Sequence, residues 1–173
     1  MIIKRDFETC KTKGEVGEGI VEKLLNEKGY IIYKSNRNDI GHWLDWICIK
    51  NKTKAIAVDI KTKSRLTYIN ATGIDEQYFQ EYVKFSKEHN MPFVLIFVDE
   101  FTKTIYGNTI DELQKPMLDG NREYPSFIKT KFGKELHLWS LKSMKHLSNL
   151  SEEDVKKIKE NSSRNYDYPK EIK

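Results

Sequence analysis

Cysteines are scarce in this sequence and long apolar runs are absent, which narrows what the protein can be. Cys10 and Cys48 are its two cysteines among 173 residues, and neither belongs to a CxxC or Cys/His pattern. This argues against a disulfide framework and a zinc site, and it favours a reducing compartment. No apolar run reaches the roughly 18 residues that would span a bilayer, and the stretch MIIKRDFETCK has no signal-peptide core. We therefore expect a cytoplasmic protein.

A strong charge of one sign is also missing. The 30 lysines and arginines exceed the 26 aspartates and glutamates by only four, which leaves a net charge of +4. This balance permits a polyanionic partner without demanding one. A length of 173 residues fits a single domain with a substantial core. We expect that domain over residues 1–160, its core at about 13–100, and a flexible tail over 161–173.

Hydrophobic periodicity and turn residues predict a series of helices and strands. Helices are predicted at 14–29, 75–89, 109–115 and 151–160, and strands at 30–35, 43–50, 54–63, 92–99, 103–108 and 135–141. Residues 64–74 are expected to form an irregular connection. The helix at 75–89 is expected to bury an apolar stripe of Tyr78, Phe79, Tyr82 and Phe85, and Ser151 is expected to cap the helix at 151–160. This order predicts the α/β class, with a mixed β-sheet flanked by helices.

Charged residues interrupt two neighbouring apolar strands. Asp59 and Lys61 lie in AIAVDIKTK (55–63), and because they are two residues apart they project from one face of the strand. Asp45 interrupts the preceding run, WLDWICIK, between two tryptophans. The alternative for Asp59 and Lys61 is a strand end that reaches solvent, with a surface ion pair that contributes little to stability.

The register of the expected hairpin decides whether these charges meet. A hairpin centred on Lys52 would place Asp45 opposite Asp59, with both carboxylates and Lys61 on one face. A shift of one residue would place Asp45 opposite Ile60 and move it to the other face. The sequence permits both registers, and only the first makes a site.

The residue types at this point suit metal-assisted chemistry on a phosphate. Two carboxylates at the ends of adjacent strands suit a hard divalent cation such as Mg²⁺, which prefers oxygen ligands and keeps several waters. A lysine beside them can orient a water molecule and offset the charge of a phosphate under attack.

A third acid comes from the first helix. Glu18 lies in GEVGEG (14–19), where three glycines are poor helix formers and would let another backbone, of protein or of nucleic acid, approach closely. Glu15 and Glu22 lie one turn to either side and are alternatives to Glu18. A further alternative is that Glu18 belongs to a solvated helix face.

Together these residues resemble the PD-(D/E)xK nuclease superfamily, which has the restriction-endonuclease-like fold. The pattern GEVGE…LLNEKGY…WLDWI…AVDIKTK covers about residues 13–98. It is particularly similar to small Holliday-junction-resolvase-like and phage or mobile-element nucleases. Leu44 stands where the motif's name has proline, and Asp59 stands where glutamate is commoner.

The resemblance implies catalytic roles for five residues. Members of this superfamily cut nucleic-acid phosphodiesters with one or two Mg²⁺ ions, for which Mn²⁺ is expected to substitute. By resemblance, Asp45 and Asp59 would bind the metal directly and Ile60 would lend its backbone carbonyl. Lys61 would position the attacking water. Glu18 would act directly or through a metal-bound water.

Four further residues are candidates for contact with nucleic acid. Arg37, Lys63 and Arg65 could contact phosphates beside the site, since arginine and lysine fix a nucleic-acid backbone without reading its bases. Gln77, at the start of the second long helix, could touch a phosphate or the attacking water. The alternative for the three basic residues is ordinary solubilising charge, and for Gln77 an ordinary exposed helix position.

The function expected from the sequence is therefore Mg²⁺-dependent endonucleolytic cleavage of DNA, either structure-directed or weakly sequence-specific. A homodimer is expected, because cutting both strands needs two active sites. One alternative is a catalytically inactive nucleic-acid-binding or assembly module of the same fold. The other is an RNA-directed nuclease, since the sequence does not separate DNA from RNA.

Overall fold

A computed structural model describes most of the chain. The described residues are 7–34, 44–51, 53–66, 68–130 and 133–162, without the side chains of 7–10. The candidate contact Arg37 and the expected hairpin centre Lys52 lie outside them, as does the expected tail beyond residue 162.

The described chain alternates between helices and strands. The α-helices are α1 (Phe7–Glu27), α2 (Glu76–His89), α3 (Ile110–Leu113) and α4 (Glu152–Glu160). The strands are β1 (Ile31–Lys34), β2 (Trp46–Lys50), β3 (Lys54–Thr62), β4 (Ala71–Asp75), β5 (Phe93–Asp99), β6 (Thr104–Thr109), β7 (Met117–Asp119), β8 (Arg122–Tyr124), β9 (Ser126–Lys129), β10 (Glu135–Ser140) and β11 (Lys145–Asn149). A 3-10 turn covers Leu141–Ser143. None of the described helices is long and apolar enough to cross a membrane.

A six-stranded sheet forms the centre of the fold, in the order β1-β2-β3-β5-β6-β11. Its β3 and β5 are parallel, whereas the other neighbours are antiparallel. The strands β4-β10-β9 form a separate three-stranded sheet, and β7-β8 form a separate two-stranded sheet. The predicted α/β class with a mixed sheet is confirmed.

Helices pack on both faces of the central sheet, because successive strand residues point to opposite faces. On one face, α1 and α4 form a core with the even-numbered residues of β3, in which Val21 of α1 and Val58 are both fully buried. On the other face, α2 and α3 pack against the odd-numbered residues of β3 and β5, among them Ala57 and Leu95. Asp59 and Lys61 are odd-numbered and belong to the α2 face.

Two helix predictions need adjustment. The first helix was expected to begin at residue 14, but α1 begins at Phe7, so the glycine-rich turn lies inside the helix. In α2, Phe79 and Tyr82 of the predicted apolar stripe are buried, while Tyr78 is 48% exposed. The predicted cap of α4 is confirmed: Ser151 and Asp154 exchange hydrogen bonds in a capping box.

The expectation of an irregular connection over 64–74 is wrong for residues 71–74. Residues 71–75 form β4, which pairs with β10 in an antiparallel register. The strand is hard to recognise from its sequence, ATGID, because glycine is unfavourable in strands. Gly73 is required by packing, since a Cβ at this position would overlap the carbonyl oxygen of His137. Strands β7, β8, β9 and β11 were likewise not predicted.

Candidate functional site

The register of the β2–β3 hairpin is the one that brings the charges together. Trp46 pairs with Val58 and Lys50 with Lys54, so the next step beyond Trp46 would set Asp45 opposite Asp59. The regular pairing of β2 with β3 ends at Trp46 and Val58. The Asp45 N–H donates a hydrogen bond of 3.0 Å to the carbonyl oxygen of Val58, not to that of Asp59. Of the two registers that the sequence permits, the structure has the first.

Asp45 is fixed to β3 by its side chain as well. Its Oδ2 accepts a hydrogen bond of 2.7 Å from the backbone N–H of Ile60, the residue between Asp59 and Lys61. The N–H and C=O of one strand residue point to the same edge of the strand. The Ile60 carbonyl is therefore directed to the edge of β3 at which Asp45 lies.

Asp59 and Lys61 form a close ion pair. The Lys61 Nζ lies 2.8 Å from each carboxylate oxygen of Asp59. The Asp59 side chain is only 5% exposed, whereas the Lys61 side chain is 31% exposed. The pair therefore has a buried carboxylate end and an ammonium end that reaches solvent.

Burial dominates the electrostatics of the pair. The pKa of Asp59 is raised to about 6 overall: burial raises it most, the Asp45 charge also raises it, and Lys61 and Tyr82 oppose the rise. Burial alone would lower the pKa of Lys61, but the carboxylates of Asp59 and Asp45 raise it above its ordinary value overall. Lys61 therefore stays protonated and acts as a fixed positive charge rather than as a base.

Two tyrosines of α2 enclose this pair. The Tyr82 ring is buried, and burial followed by the charge of Asp59 raises the pKa of its hydroxyl above the ordinary value. The exposed ring of Tyr78 lies 5.9 Å from the Lys61 Nζ. The sequence assigned Tyr82 to the core on helical periodicity, and that signal could not show that its hydroxyl adjoins a carboxylate.

Helix α1 approaches the end of β3 from the opposite face of the sheet. A Cβ at Gly17 would overlap the Thr62 Oγ1, so this glycine permits the close approach that its residue type predicts, here by a side chain. Gly14 and Gly19 have open space around their Cα atoms. The half-buried Glu18 follows Gly17 and is thereby carried to the end of β3.

The two alternatives to Glu18 are placed differently. Glu22 pairs with Lys34 of β1, with 2.7 Å between the charged atoms. Glu15 is exposed on α1. Of the three acids, Glu18 is the one adjacent in sequence to the contact between α1 and β3.

The candidate nucleic-acid contacts fall in two places. Lys63 and Arg65 follow β3 directly, and the Lys63 Nζ lies 5.8 Å from the centroid of the Phe97 ring, on the α2 face. Gln77 is exposed on the first turn of α2, where its amide donates to Glu81 at 3.3 Å. Gln77 precedes Tyr78 and so flanks the ion pair from the helix side.

The oxygen donors at this site suit a small, hard cation. Asp45 and Asp59 supply two carboxylates, and the Ile60 carbonyl points to the same edge of β3. Mg²⁺ is commonly bound through one or two carboxylates with its remaining positions filled by water, so these residues fit it. Across the described ranges, with their gaps at 35–43, 52, 67 and 131–132, no group of three or more His, Cys, Asp or Glu side chains could hold a metal ion.

Comparison with known proteins identifies the fold. No protein-family model matches the sequence, and no curated protein matches it. Among solved structures, the chain is similar to Hjc, a Holliday junction resolvase from the archaeal hyperthermophile Archaeoglobus fulgidus, with a TM-score of 0.51 and 10% sequence identity. The match covers 75% of this chain and 90% of the resolvase. The chain therefore has the restriction-endonuclease-like fold that its resemblance to the PD-(D/E)xK nucleases predicted.

Proposed function

We propose that the protein is a Mg²⁺-dependent endonuclease that hydrolyses phosphodiester bonds in DNA. The observation that carries the proposal is the convergence of Asp45, Asp59 and Lys61 at the end of two adjacent strands. A structure similar to a Holliday junction resolvase over 75% of the chain supports it. We propose DNA rather than RNA as the substrate because the similar structure is that of a Holliday junction resolvase. A cytoplasmic location is consistent with the scarcity of cysteine.

The roles of the residues follow from their positions. Asp45, Asp59 and the Ile60 carbonyl would hold the metal, which supplies Lewis-acid stabilisation of the oxygens at the reacting phosphorus. Lys61, a permanent cation at the solvent end of its ion pair, offsets negative charge on the phosphate and orients the attacking water by donating a hydrogen bond. Glu18, on α1, would accept a hydrogen bond from that water or from a water held by the metal.

We infer cleavage that is directed by DNA structure or only weakly by sequence, and a homodimer that presents two active sites to the two strands. Lys63, Arg65, Gln77 and Arg37 would contact the DNA backbone, which fixes position without reading bases.

The test is cleavage of supercoiled, linear, branched and single-stranded DNA, with Mg²⁺, with Mn²⁺ and with EDTA. Wild-type protein is expected to cut at least one substrate with either metal and none with EDTA. Lys61→Ala and Asp59→Ala are expected to lower the cleavage rate by at least about a hundredfold, since each removes a group that acts on the transition state. Arg122→Ala, on β8, serves as a control for loss of general positive charge. Cleavage that both site variants retain would refute the assignment.

A specific observation supports one second candidate, a binding module of the same fold without catalytic activity. In the part of the chain that the structure describes, no group of three or more His, Cys, Asp or Glu side chains could hold a metal ion, and the Lys61 ammonium lies 2.8 Å from each carboxylate oxygen of Asp59. Isothermal titration with Mg²⁺ and Mn²⁺ separates the two candidates. An inactive module would bind DNA without binding metal and would cut none of the substrates.

A further inference from the structure

A cation–π pair of an arginine and a phenylalanine lies just beyond the ends of β3 and β5. The guanidinium carbon of Arg65 lies 4.8 Å from the centroid of the Phe101 ring, within the range of cation–π attraction. Phe101 lies in the β5–β6 turn, and 38% of it is exposed. β5 ends at Asp99, so the contact joins the segment after β3 to the turn after β5.

A buried carboxylate holds both members of this pair by their backbones. The Oδ2 of Asp99 accepts the Arg65 N–H at 3.2 Å, and the Oδ1 accepts the Phe101 N–H at 2.9 Å and the Thr102 N–H at 3.3 Å. Asp99 is fully buried, and the Tyr106 hydroxyl donates to its Oδ2 at 3.4 Å. Burial of a carboxylate is unfavourable unless hydrogen bonds compensate it. The backbones of both segments are thus anchored to one group before any ligand binds.

The pair lies within reach of a nucleic acid bound at the candidate site. Arg65 is four residues beyond Lys61, which spans at most about 14 Å of extended chain, and Lys63 lies between them. The Lys63 Nζ lies on the α2 face, the face of Asp59 and Lys61. Nucleotides along one strand of B-form DNA are spaced about 3.4 Å apart. The Arg–Phe pair therefore falls a few nucleotides from a phosphate at Lys61.

We propose that Arg65 and Phe101 form a stacking site for an unpaired nucleobase a few nucleotides from the cleaved bond. Bases stack on aromatic rings and on guanidinium planes, and the pair presents both on a fixed backbone next to basic residues. A base inside a duplex is already stacked on its neighbours. The substrate class that the site selects is therefore nucleic acid with an unpaired stretch beside the scissile phosphodiester. This inference rests on the proposed function, because it takes nucleic acid as the ligand.

The experiment compares two probes in EDTA, so that no cleavage occurs. One is a fluorescein-labelled single-stranded oligodeoxynucleotide, and the other is an oligonucleotide of the same length whose sugars carry no bases. Wild-type protein is expected to bind the base-containing probe about tenfold more tightly by fluorescence anisotropy, since stacking on an aromatic side chain has about this effect or more. Phe101→Ala is expected to abolish most of that preference, and Phe101→Tyr to retain it.

Phe127→Ala is the matched control, because Phe127 is also an exposed phenylalanine, at 58%, but lies on β9 in the three-stranded sheet. It is expected to keep the full preference. Thermal melting establishes that each variant is folded, and Phe101→Leu provides a second non-aromatic variant.

The possible outcomes separate this inference from the proposed function. Equal affinity of the wild type for both probes, or the same loss in Phe101→Ala and Phe127→Ala, overturns the stacking site. If metal-dependent cleavage is seen alongside either result, the nuclease assignment stands and only the stacking site fails. Failure of the wild type to bind either probe overturns the stacking site, and cleavage of the supercoiled, linear and branched substrates then decides the proposed function separately.

Discussion

The Asp45 carboxylate accepts a 2.7 Å hydrogen bond from the backbone N–H of Ile60. Through this contact the acid of one strand is fixed to the middle of the Asp59-Ile60-Lys61 segment of the next. The contact forms where the backbone pairing between the two strands ends. A side-chain hydrogen bond therefore links the two segments beyond the last backbone pair. Asp45 has therefore both a structural and a proposed metal-binding role, and suitable substitutions separate them.

Asp45→Asn and Asp45→Ala are expected to differ in stability but not in activity. Asparagine keeps an oxygen that can accept the Ile60 N–H but lacks the negative charge that a metal ligand needs. Alanine loses both, and we expect it to lower the free energy of unfolding by about 1–2 kcal/mol, the usual effect of losing a partly buried hydrogen bond. Urea unfolding and DNA cleavage measure the two effects. If Asp45→Asn cuts DNA at the wild-type rate, Asp45 does not bind the metal.

Gly17→Ala and Gly19→Ala should change stability in opposite directions. Alanine is the better helix former by about 1 kcal/mol, and Gly19 has open space for a Cβ, so Gly19→Ala should stabilise the protein. At Gly17 the new Cβ would overlap the Thr62 Oγ1, and overpacking of this kind typically destabilises by about 1–3 kcal/mol. Thermal melting of both variants checks this. Equal stabilisation would show that α1 does not pack on β3 at Gly17.

Two ion pairs connect α1 to the sheet, and they should differ in strength. Lys13 pairs at 2.5 Å with Glu100, whose side chain is fully buried, whereas the pair between Lys34 and Glu22 is largely exposed. Lys13→Met leaves a buried carboxylate without this partner and should lower the free energy of unfolding by about 3 kcal/mol. Lys34→Met should change it by less than about 1 kcal/mol. Urea midpoints for the two variants that are the same within error would contradict the difference in burial.

The contribution of Asp59 to the stability of the metal-free protein should fall as the pH rises from about 4 to 6. Burial raises the pKa of Asp59 from 3.8 to about 6, so the folded state binds the proton more tightly than the unfolded state. The stability from this group is complete below its unfolded pKa and is lost as the pH rises through the folded one. The difference in pKa corresponds to about 3 kcal/mol.

Asp59→Asn provides the control for this pH dependence, because asparagine does not titrate. The difference in unfolding free energy between wild type and variant, measured in EDTA from pH 3.5 to 7.5, isolates the contribution of this carboxyl group. We expect the unfolding free energy of the wild type, relative to that of the variant, to fall as the pH rises. Parallel profiles would mean that Asp59 ionises with an ordinary pKa.

Much of the fold follows from local patterns in the sequence. The alternation of apolar residues in β3, the apolar stripe of α2 and the capping Ser151 of α4 are each visible within about ten residues, and the structure has all three elements. Strand β4 was not predicted, because its stability comes from pairing with β10, more than 60 residues away in the chain, and Gly73 weakens its own strand pattern. Phe101 gave no functional signal, since its contact with Arg65 exists only where β3 and β5 lie side by side.

The sequence by itself determined which side chains could do chemistry. Asp59 and Lys61 share a face because strand residues two apart always do, and Asp45 had to lie on the neighbouring strand of the hairpin. Tertiary structure decided what local spacing could not. It selected the hairpin register that joins Asp45 to Ile60, it buried Asp59 beneath α2, and it carried Glu18 to the end of β3 through the contact of Gly17 with Thr62. These depend on contacts between segments distant in sequence, whose energies no local pattern records.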